Sequence, residues 1–226
     1  MKRYKLGINN NLRDLGGIIN KDGKEIKLLR FIRSDLPIGI DNDGIQFLKK
    51  NNFTTVIDLR KEEECTKKEN CLKSFFDYYN INLTGDKYPN TENDIPNGYM
   101  DILKDFENIN KVVNIIAKSK GGVIYNCTAG KDRTGIISMI LLLIANAYED
   151  DIIVDYEVSY TYIRDFVRKI HAENINIPAF VGRSNMEIME KTLKMFYEKY
   201  GSIDNYLHMI GINDKEIEKI RDMLIN

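Results

Sequence analysis

Short β-rich runs alternate with helical periods through the first half of the chain, and helical periods fill the second half. Residues 53–60 are short and β-branched, the composition of a central strand. Residues 18–20 and 24–26 flank Lys21-Asp22-Gly23, a hairpin signal, and residues 28–33 read as the strand that follows. A helix over 43–51 turns Ile45, Leu48 and Phe47 inward, and the charged stretch 61–70 reads as a surface helix. Residues 74–83 alternate well enough for another strand, and the breakers from Gly85 to Asn97 make 84–97 a loop. Apolar residues recur at helical spacing from Ile102 to Ile116, predicting one helix over 98–120 that Gly121 and Gly122 end.

A short apolar run, 123–125, then meets a polar stretch, 126–135, and a longer apolar run, 136–147. That order predicts a strand, a tight loop and a helix start. Beyond it, Asp150 and Asp151 are expected to cap a helix to about residue 172, and 175–182 is a loop around Pro178. Ser184-Asn185-Met186-Glu187 reads as a capping box for a helix to Tyr200, and Asn213-Asp214-Lys215-Glu216 as one for the last helix. Residues 202–210 and 213–225 form a closing helical pair. The sum is an α/β fold: a central, mostly parallel sheet flanked by helices, with a helical C-terminal half. No repeat or linker divides the chain, so 1–226 is expected to be one domain.

Composition narrows the class. About 43% apolar and 30% charged residues fit a globular protein, and a net charge of −1 gives no global attraction for nucleic acid or membranes. Any affinity for anions must come from a local site. The three cysteines, Cys65, Cys71 and Cys127, make no disulfide framework and no C-x-x-C pair. With only His171 and His208 beside them, no metal site is expected. The basic N-terminus lacks an apolar core, so no signal peptide and a cytoplasmic location are expected. The run 136–147 is too short to span a bilayer and reads as a buried helix.

The chemistry sits in 126–135. Cys127 and Arg133 are separated by five residues, a spacing that three cysteines and ten arginines produce by chance with odds of about one in eight. Context strengthens it: a strand before, Gly130 where the backbone must turn tightly, and Thr134-Gly135 at a helix start. Such a loop can wrap the backbone N–H groups of Thr128, Ala129, Gly130 and Lys131 around a phosphate or sulfate-like anion, with the helix N-terminus aimed at the same spot. A nucleotide-binding phosphate loop needs Gly at 125 and Ser or Thr at 132, where this chain has Tyr125 and Asp132. A merely buried structural cysteine would not explain the Gly-Lys-Asp-Arg-Thr shell around Cys127.

The pattern fits two-step phosphoryl transfer without a metal or other cofactor. Cys127 attacks as a thiolate, Arg133 binds two phosphate oxygens, and the Thr134 hydroxyl supports the sulfur as leaving group. Asp132 is the first candidate for general acid, against the alternative of a salt-bridged carboxylate; Asp86, Asp94 and Asp101 follow it.

Asn11-Leu12-Arg13-Asp14-Leu15-Gly16-Gly17, Arg33-Ser34-Asp35, Val56-Ile57-Asp58-Leu59-Arg60 with Glu62-Glu63-Glu64, and the 127–135 loop run in the order seen in one known group. The chain resembles the bacterial PtpB-like tyrosine phosphatases of the tyrosine/serine phosphatase family. The resemblance implies a phosphotyrosine-phosphatase-like fold, a cysteinyl-phosphate intermediate and an acid, Asp132, carried within the loop. It also implies that Arg13 and Asp14 lie near the site rim, and it offers 150–200 as a helical lid with Phe180 and nearby tyrosines as covers, against the alternative that these residues simply pack the domain. The substrates implied are phosphotyrosine, phosphoserine or phosphothreonine in proteins, or phosphoinositides, for which Lys131 would be a second cation. Relatives are sometimes secreted without an obvious signal.

One position departs from the pattern. The family usually has His before the cysteine, and this chain has Asn126, which hydrogen-bonds but carries no charge. A weaker bias toward the thiolate and a higher pH optimum are expected. Two other functions compete: a non-catalytic phosphate-binding module in which Asn126 marks decay, and sulfur transfer through a persulfide.

Overall fold

The computed structural model describes residues 2–8, 10–83 and 89–225. Five strands form one sheet: β1 (Arg13–Asp14), β2 (Phe31–Ser34), β3 (Phe53–Asp58), β4 (Asp77–Asn80) and β5 (Gly122–Asn126). Their order is β1-β2-β5-β3-β4. β1 runs antiparallel to β2, and every other pair is parallel. The mixed α/β architecture, with a mostly parallel sheet flanked by helices, is therefore the one expected.

The alternation of side chains along each strand builds two cores. Phe31, Ile57, Val123 and Tyr125 point into the larger one. Ile32, Val56, Phe53 and Ile124 point to the other face, which α1 (Asn42–Lys50) covers with Ile45 and Leu48, while Phe47 packs at its margin. The β5 strand is buried along its whole length, as a strand between two parallel neighbours must be.

The larger core is filled by α5 (Asp132–Ile144), whose residues from Thr134 to Ile144 are all buried. It packs against α3 (Ile95–Lys104), α6 (Glu149–Glu173), α8 (Ile203–Met209) and α9 (Asp214–Ile225). A helix apolar all round needs such enclosure. Beside these lie α2 (Glu62–Lys67), α4 (Phe106–Lys118) and α7 (Met186–Tyr200).

Four sequence expectations are corrected. The strand placed at 28–33 starts at Phe31, because Leu29 has φ +60° and gives its N–H to the Asp14 carboxylate at 2.6 Å. The helix placed at 98–120 is two helices: Asp105 breaks it and caps the second by accepting the N–H of Asn108 at 3.3 Å. Asp150 and Asp151 lie in the first turn of α6 rather than at its cap, which is Tyr148. Ser184 does not cap α7; its hydroxyl donates to the Glu157 carbonyl at 2.7 Å and accepts the Tyr160 N–H at 2.9 Å. The box at Asn213 and Glu216 is formed as expected, by reciprocal bonds of 3.0 and 3.1 Å.

Candidate active site

The loop between β5 and α5 is held from behind by its carbonyls. Asn11 Nδ2 donates to the Ala129 and Gly130 carbonyls, both at 2.9 Å, and Arg33 adds a second bond to Gly130 at 2.7 Å. Thr128 O accepts the Leu36 N–H at 3.2 Å. With the carbonyls turned outward, the N–H groups are left facing the other way. Among the described residues, no protein acceptor takes an N–H from Thr128 through Thr134. These groups, with the start of α5, make an anion cradle. Gly130 permits the turn: its φ is +67°, and an added Cβ would lie 2.4 Å from the Asp35 nitrogen.

A buried charge cluster underlies this brace. Asp155, on α6, takes the guanidiniums of Arg13 (2.9 Å) and Arg33, all three side chains being at most 3% exposed. Burial and the neighbouring Arg33 push Arg13 down to about 10, against the pull of Asp155. Burial would raise the Asp155 carboxyl, but the two arginines outweigh it and hold it below its ordinary value. Arg13 also holds the Asn11 side chain, so the cluster orients the residue that orients the loop.

Cys127, directly after β5, is 3% exposed and borders the larger core. Arg133, six residues on, is clasped by Glu64 of α2, at 2.8 Å from Nη1 and 3.1 Å from Nη2. The Thr128 hydroxyl joins them, donating to Glu64 at 2.7 Å and accepting from Arg133 at 3.2 Å. Burial opposes the charge on Arg133, but the negative charges of Cys127 and Glu64 outweigh it and raise its pKa. Glu64 is likewise disfavoured by burial, yet Arg133 and Thr128 bring it down to about 2. The helix carrying Glu64 is anchored by Arg60, which is paired with Asp58 at 2.8 Å and donates to the carbonyls of Glu64 and Lys68.

Asp132 opens α5 and is 43% exposed. Its Oδ1 lies 3.0 Å from Lys131 Nζ and accepts the Tyr99 hydroxyl. Burial opposes its ionisation, but Lys131, then Tyr99, overcome this and hold Asp132 below the usual carboxylate range. Lys131 itself is 4% exposed and donates to the Arg183 carbonyl at 2.7 Å. Burial disfavours its charge, and Asp132 more than restores it. Among the described residues, the buried Thr134 Oγ has no hydrogen-bond partner, which leaves it free to bond a group in the loop. Asn126 is buried at the end of β5; its Oδ1 accepts from Asn70 at 2.9 Å, and Asn70 also donates to Asp58 at 3.3 Å.

A family model described as the tyrosine phosphatase family matches residues 5–226. The chain belongs to the tyrosine phosphatase family. It is similar to a tyrosine-protein phosphatase of Nostoc commune, 28% identical over 187 residues, covering 73% of this chain and 64% of that protein. The chain thus spans less than two thirds of that relative. It is also similar to a putative tyrosine-protein phosphatase of Cupriavidus necator, 23% identical over 217 residues, covering 87% and 80% respectively. Among solved structures it is similar to a cysteine-to-serine variant of TpbA from P. aeruginosa in complex with phosphotyrosine, with a TM-score of 0.40, 11% identity, and 73% and 86% of the two chains covered. Another is the core catalytic domain of the PP-IP phosphatase SIW14 of S. cerevisiae in complex with citrate, with a TM-score of 0.41, 16% identity, and 79% and 97% covered.

Cys127, Thr128, Ala129, Gly130, Asp132, Arg133 and Thr134 lie on the stretch that runs from the end of β5 into the first turn of α5. Arg13 and Asp14, expected near the site rim, are both fully buried, Arg13 on Asp155 and Asp14 on the N–H groups of Gly16 and Leu29. Lys131 is turned inward rather than offered to solvent as a second cation. Phe180 packs, partly buried, against the larger core. Asp94 bonds to Thr91 and Asp101 to Lys104, groups outside the loop. Asp86 lies outside the described residues.

Sequence reasoning did not assign roles to Asn11, Arg33, Glu64, Tyr99, Asp155 or Tyr156. Asp155 left a usable trace, since it and Ser159 share the helix face of Ile152, Tyr156 and Ile163. A carboxylate on an apolar face demands a buried partner. Tyr99 left none, because a tyrosine on an apolar helix face is ordinary core material. No helix among the described residues is long and apolar enough to cross a membrane. None of their His, Cys, Asp and Glu side chains form a group of three able to hold a metal ion.

Proposed function

We propose that the chain hydrolyses phosphate monoesters through a phosphocysteine on Cys127, with aryl phosphates such as phosphotyrosine as the preferred substrate class. The observation that carries this is the cradle: N–H groups from Thr128 to Thr134 that have no protein acceptor among the described residues, in a loop that also holds the buried Cys127 and Arg133. The phosphoryl group binds there, its charge met by these N–H groups, the α5 N-terminus and Arg133.

The Cys127 thiolate attacks phosphorus. The P–S bond forms, the P–O bond to the leaving group breaks, and Asp132 gives the departing oxygen a proton. Water then attacks phosphorus, returns its proton to Asp132, and the P–S bond breaks to release phosphate and thiolate. Asp132 is ionised in the empty loop, where Lys131 and Arg133 act on it. A bound dianion takes up part of that positive field and favours the protonated acid. The Thr134 hydroxyl supports the sulfur as it leaves.

Aryl phosphates are favoured over phosphoinositides because Lys131, the cation that would have read an extra phosphate, is occupied by Asp132 and the Arg183 carbonyl. We read 1–226 as one catalytic unit of the PtpB-like kind, with 150–200 as its cover: the start of α6 is built into the loop's support, and the segment before α7 reaches Lys131.

Hydrolysis of an aryl phosphate by wild type and by Cys127→Ser tests the proposal. Turnover by wild type that Cys127→Ser abolishes is expected. Folded wild type that binds phosphate without turnover establishes the non-catalytic module instead.

A further inference from the structure

Tyr99 on α3 and Tyr156 on α6 are both buried, and their hydroxyls lie 2.8 Å apart. Tyr99 is also bonded to Asp132 Oδ1, the oxygen that faces Lys131 Nζ. Counting hydrogens fixes the direction of this chain. Asp132, ion-paired to Lys131, is a carboxylate and has no hydrogen to give, and each tyrosine has one. Tyr99 therefore donates to Asp132, and Tyr156 donates to Tyr99. The other oxygen, Oδ2, takes part in none of these bonds.

We infer that Tyr99, held by Tyr156, occupies Oδ1 of Asp132 and so reserves Oδ2 as the oxygen that carries the transferable proton. The inference rests on the proposed role of Asp132 as general acid. A proton on Oδ1 would meet the Lys131 ammonium and displace the Tyr99 hydrogen. A proton on Oδ2 leaves both Oδ1 bonds intact and, among the described residues, meets no partner, on a side chain that is 43% exposed. Tyr99 and Tyr156 are positioning residues, since neither gives the substrate a proton. Through them α6, the helix that also carries Asp155, is linked to the acid as well as to the loop backbone.

Among the described residues, four ionisable groups face Asp132. Lys131 and Arg133 come from its own segment, Tyr99 from α3 and Tyr156 from α6. The Tyr99 hydrogen bond favours the carboxylate, so its removal must raise the pH at which the acid loses its proton.

The test is the pH dependence of kcat/KM for aryl phosphates with good and poor leaving groups. Wild type, Tyr99→Phe, Tyr156→Phe and Asp132→Asn are compared. Tyr99→Phe is expected to move the alkaline limb to higher pH by about one unit, the scale of a hydrogen bond to a charged group. Tyr156→Phe moves it in the same direction by less. Asp132→Asn loses about 100-fold or more on the poor leaving group relative to the good one. If that leaving-group signature is present but Tyr99→Phe leaves the limb in place, the inference is wrong and the acid assignment stands. If the signature is absent, the acid assignment itself fails and the inference falls with it. Should Tyr99→Phe not fold, Tyr156→Phe decides alone, and an unmoved limb overturns the inference.

Discussion

Glu64 grips the Arg133 guanidinium at both terminal nitrogens, 2.8 and 3.1 Å away. The planar fork is thereby oriented before any anion arrives, which lowers the ordering cost of binding and of the transition state. The clasp is linked to the sheet through Arg60 and Asp58. Glu64→Gln keeps the shape and removes the charge. We expect kcat/KM to fall about tenfold, or about 1.4 kcal/mol of transition-state stabilisation. Since Glu64 titrates at about 2, the wild-type clasp should survive acidification until the pH approaches that value. An unchanged kcat/KM in Glu64→Gln would show that the orientation of Arg133 does not depend on the clasp.

Asp155 makes a prediction about stability. It is the carboxylate facing the buried guanidiniums of Arg13 and Arg33. Asp155→Asn leaves both uncompensated and should cost about 3–5 kcal/mol at neutral pH. The sign with pH follows from its depressed folded-state value. Its contribution is complete above the ordinary aspartate value of 3.8 and is lost as the pH falls through the lower folded value. Denaturant titrations across pH should therefore show wild type losing stability on acidification over this range, with Asp155→Asn flatter there. Parallel pH curves for the two proteins would contradict this.

Thr134 is fully buried, and among the described residues its hydroxyl has no hydrogen-bond partner. Thr134→Val removes the hydroxyl and keeps the branched shape. Its thermal stability should equal or exceed that of wild type, because an unsatisfied polar group is replaced by an apolar one. Its kcat should drop about tenfold, the loss falling on cleavage of the phosphocysteine, so that a pre-steady-state burst grows relative to steady turnover. A variant with wild-type kcat excludes a role for the hydroxyl in the slow step.

Asn126 stands where the family resemblance implies a histidine, but it is integrated rather than idle. Asn70 donates to it, and Asp58 accepts from the same Asn70 amide. The group is neutral, so the loop lacks a chargeable neighbour at that point. In a folded Asn126→His variant, the acidic limb of kcat/KM should move to lower pH. A limb that stays in place would mean that the backbone cradle and Arg133 set the reactive state of the loop unaided.

The main features of the fold and loop were legible because they rest on local rules. The short β-branched run at 53–58, the Gly130 turn and the apolar run behind it each declare their structure within a few residues. Proximity across the fold was not legible. Arg13 reads as a loop cation until α6 brings Asp155 to it from 142 positions away. Lys131 reads as a second cation for substrate until Asp132 and the Arg183 carbonyl enclose it. The 98–120 stretch reads as one helix because its apolar period runs on, while the capping bond at Asp105 is a matter of one side chain. In each case the missing quantity is a long-range partner for a polar group, which periodicity does not encode.

The central claim is a covalent phosphoryl group on Cys127. Rapid acid quench of wild type turning over an aryl phosphate, followed by peptide mass spectrometry, addresses it most directly. One phosphoryl group is expected on the peptide carrying Cys127, none on those carrying Cys65 or Cys71, and a larger trapped fraction in Thr134→Val. Turnover with no adduct on Cys127, or a Cys127→Ser variant as active as wild type, would contradict it.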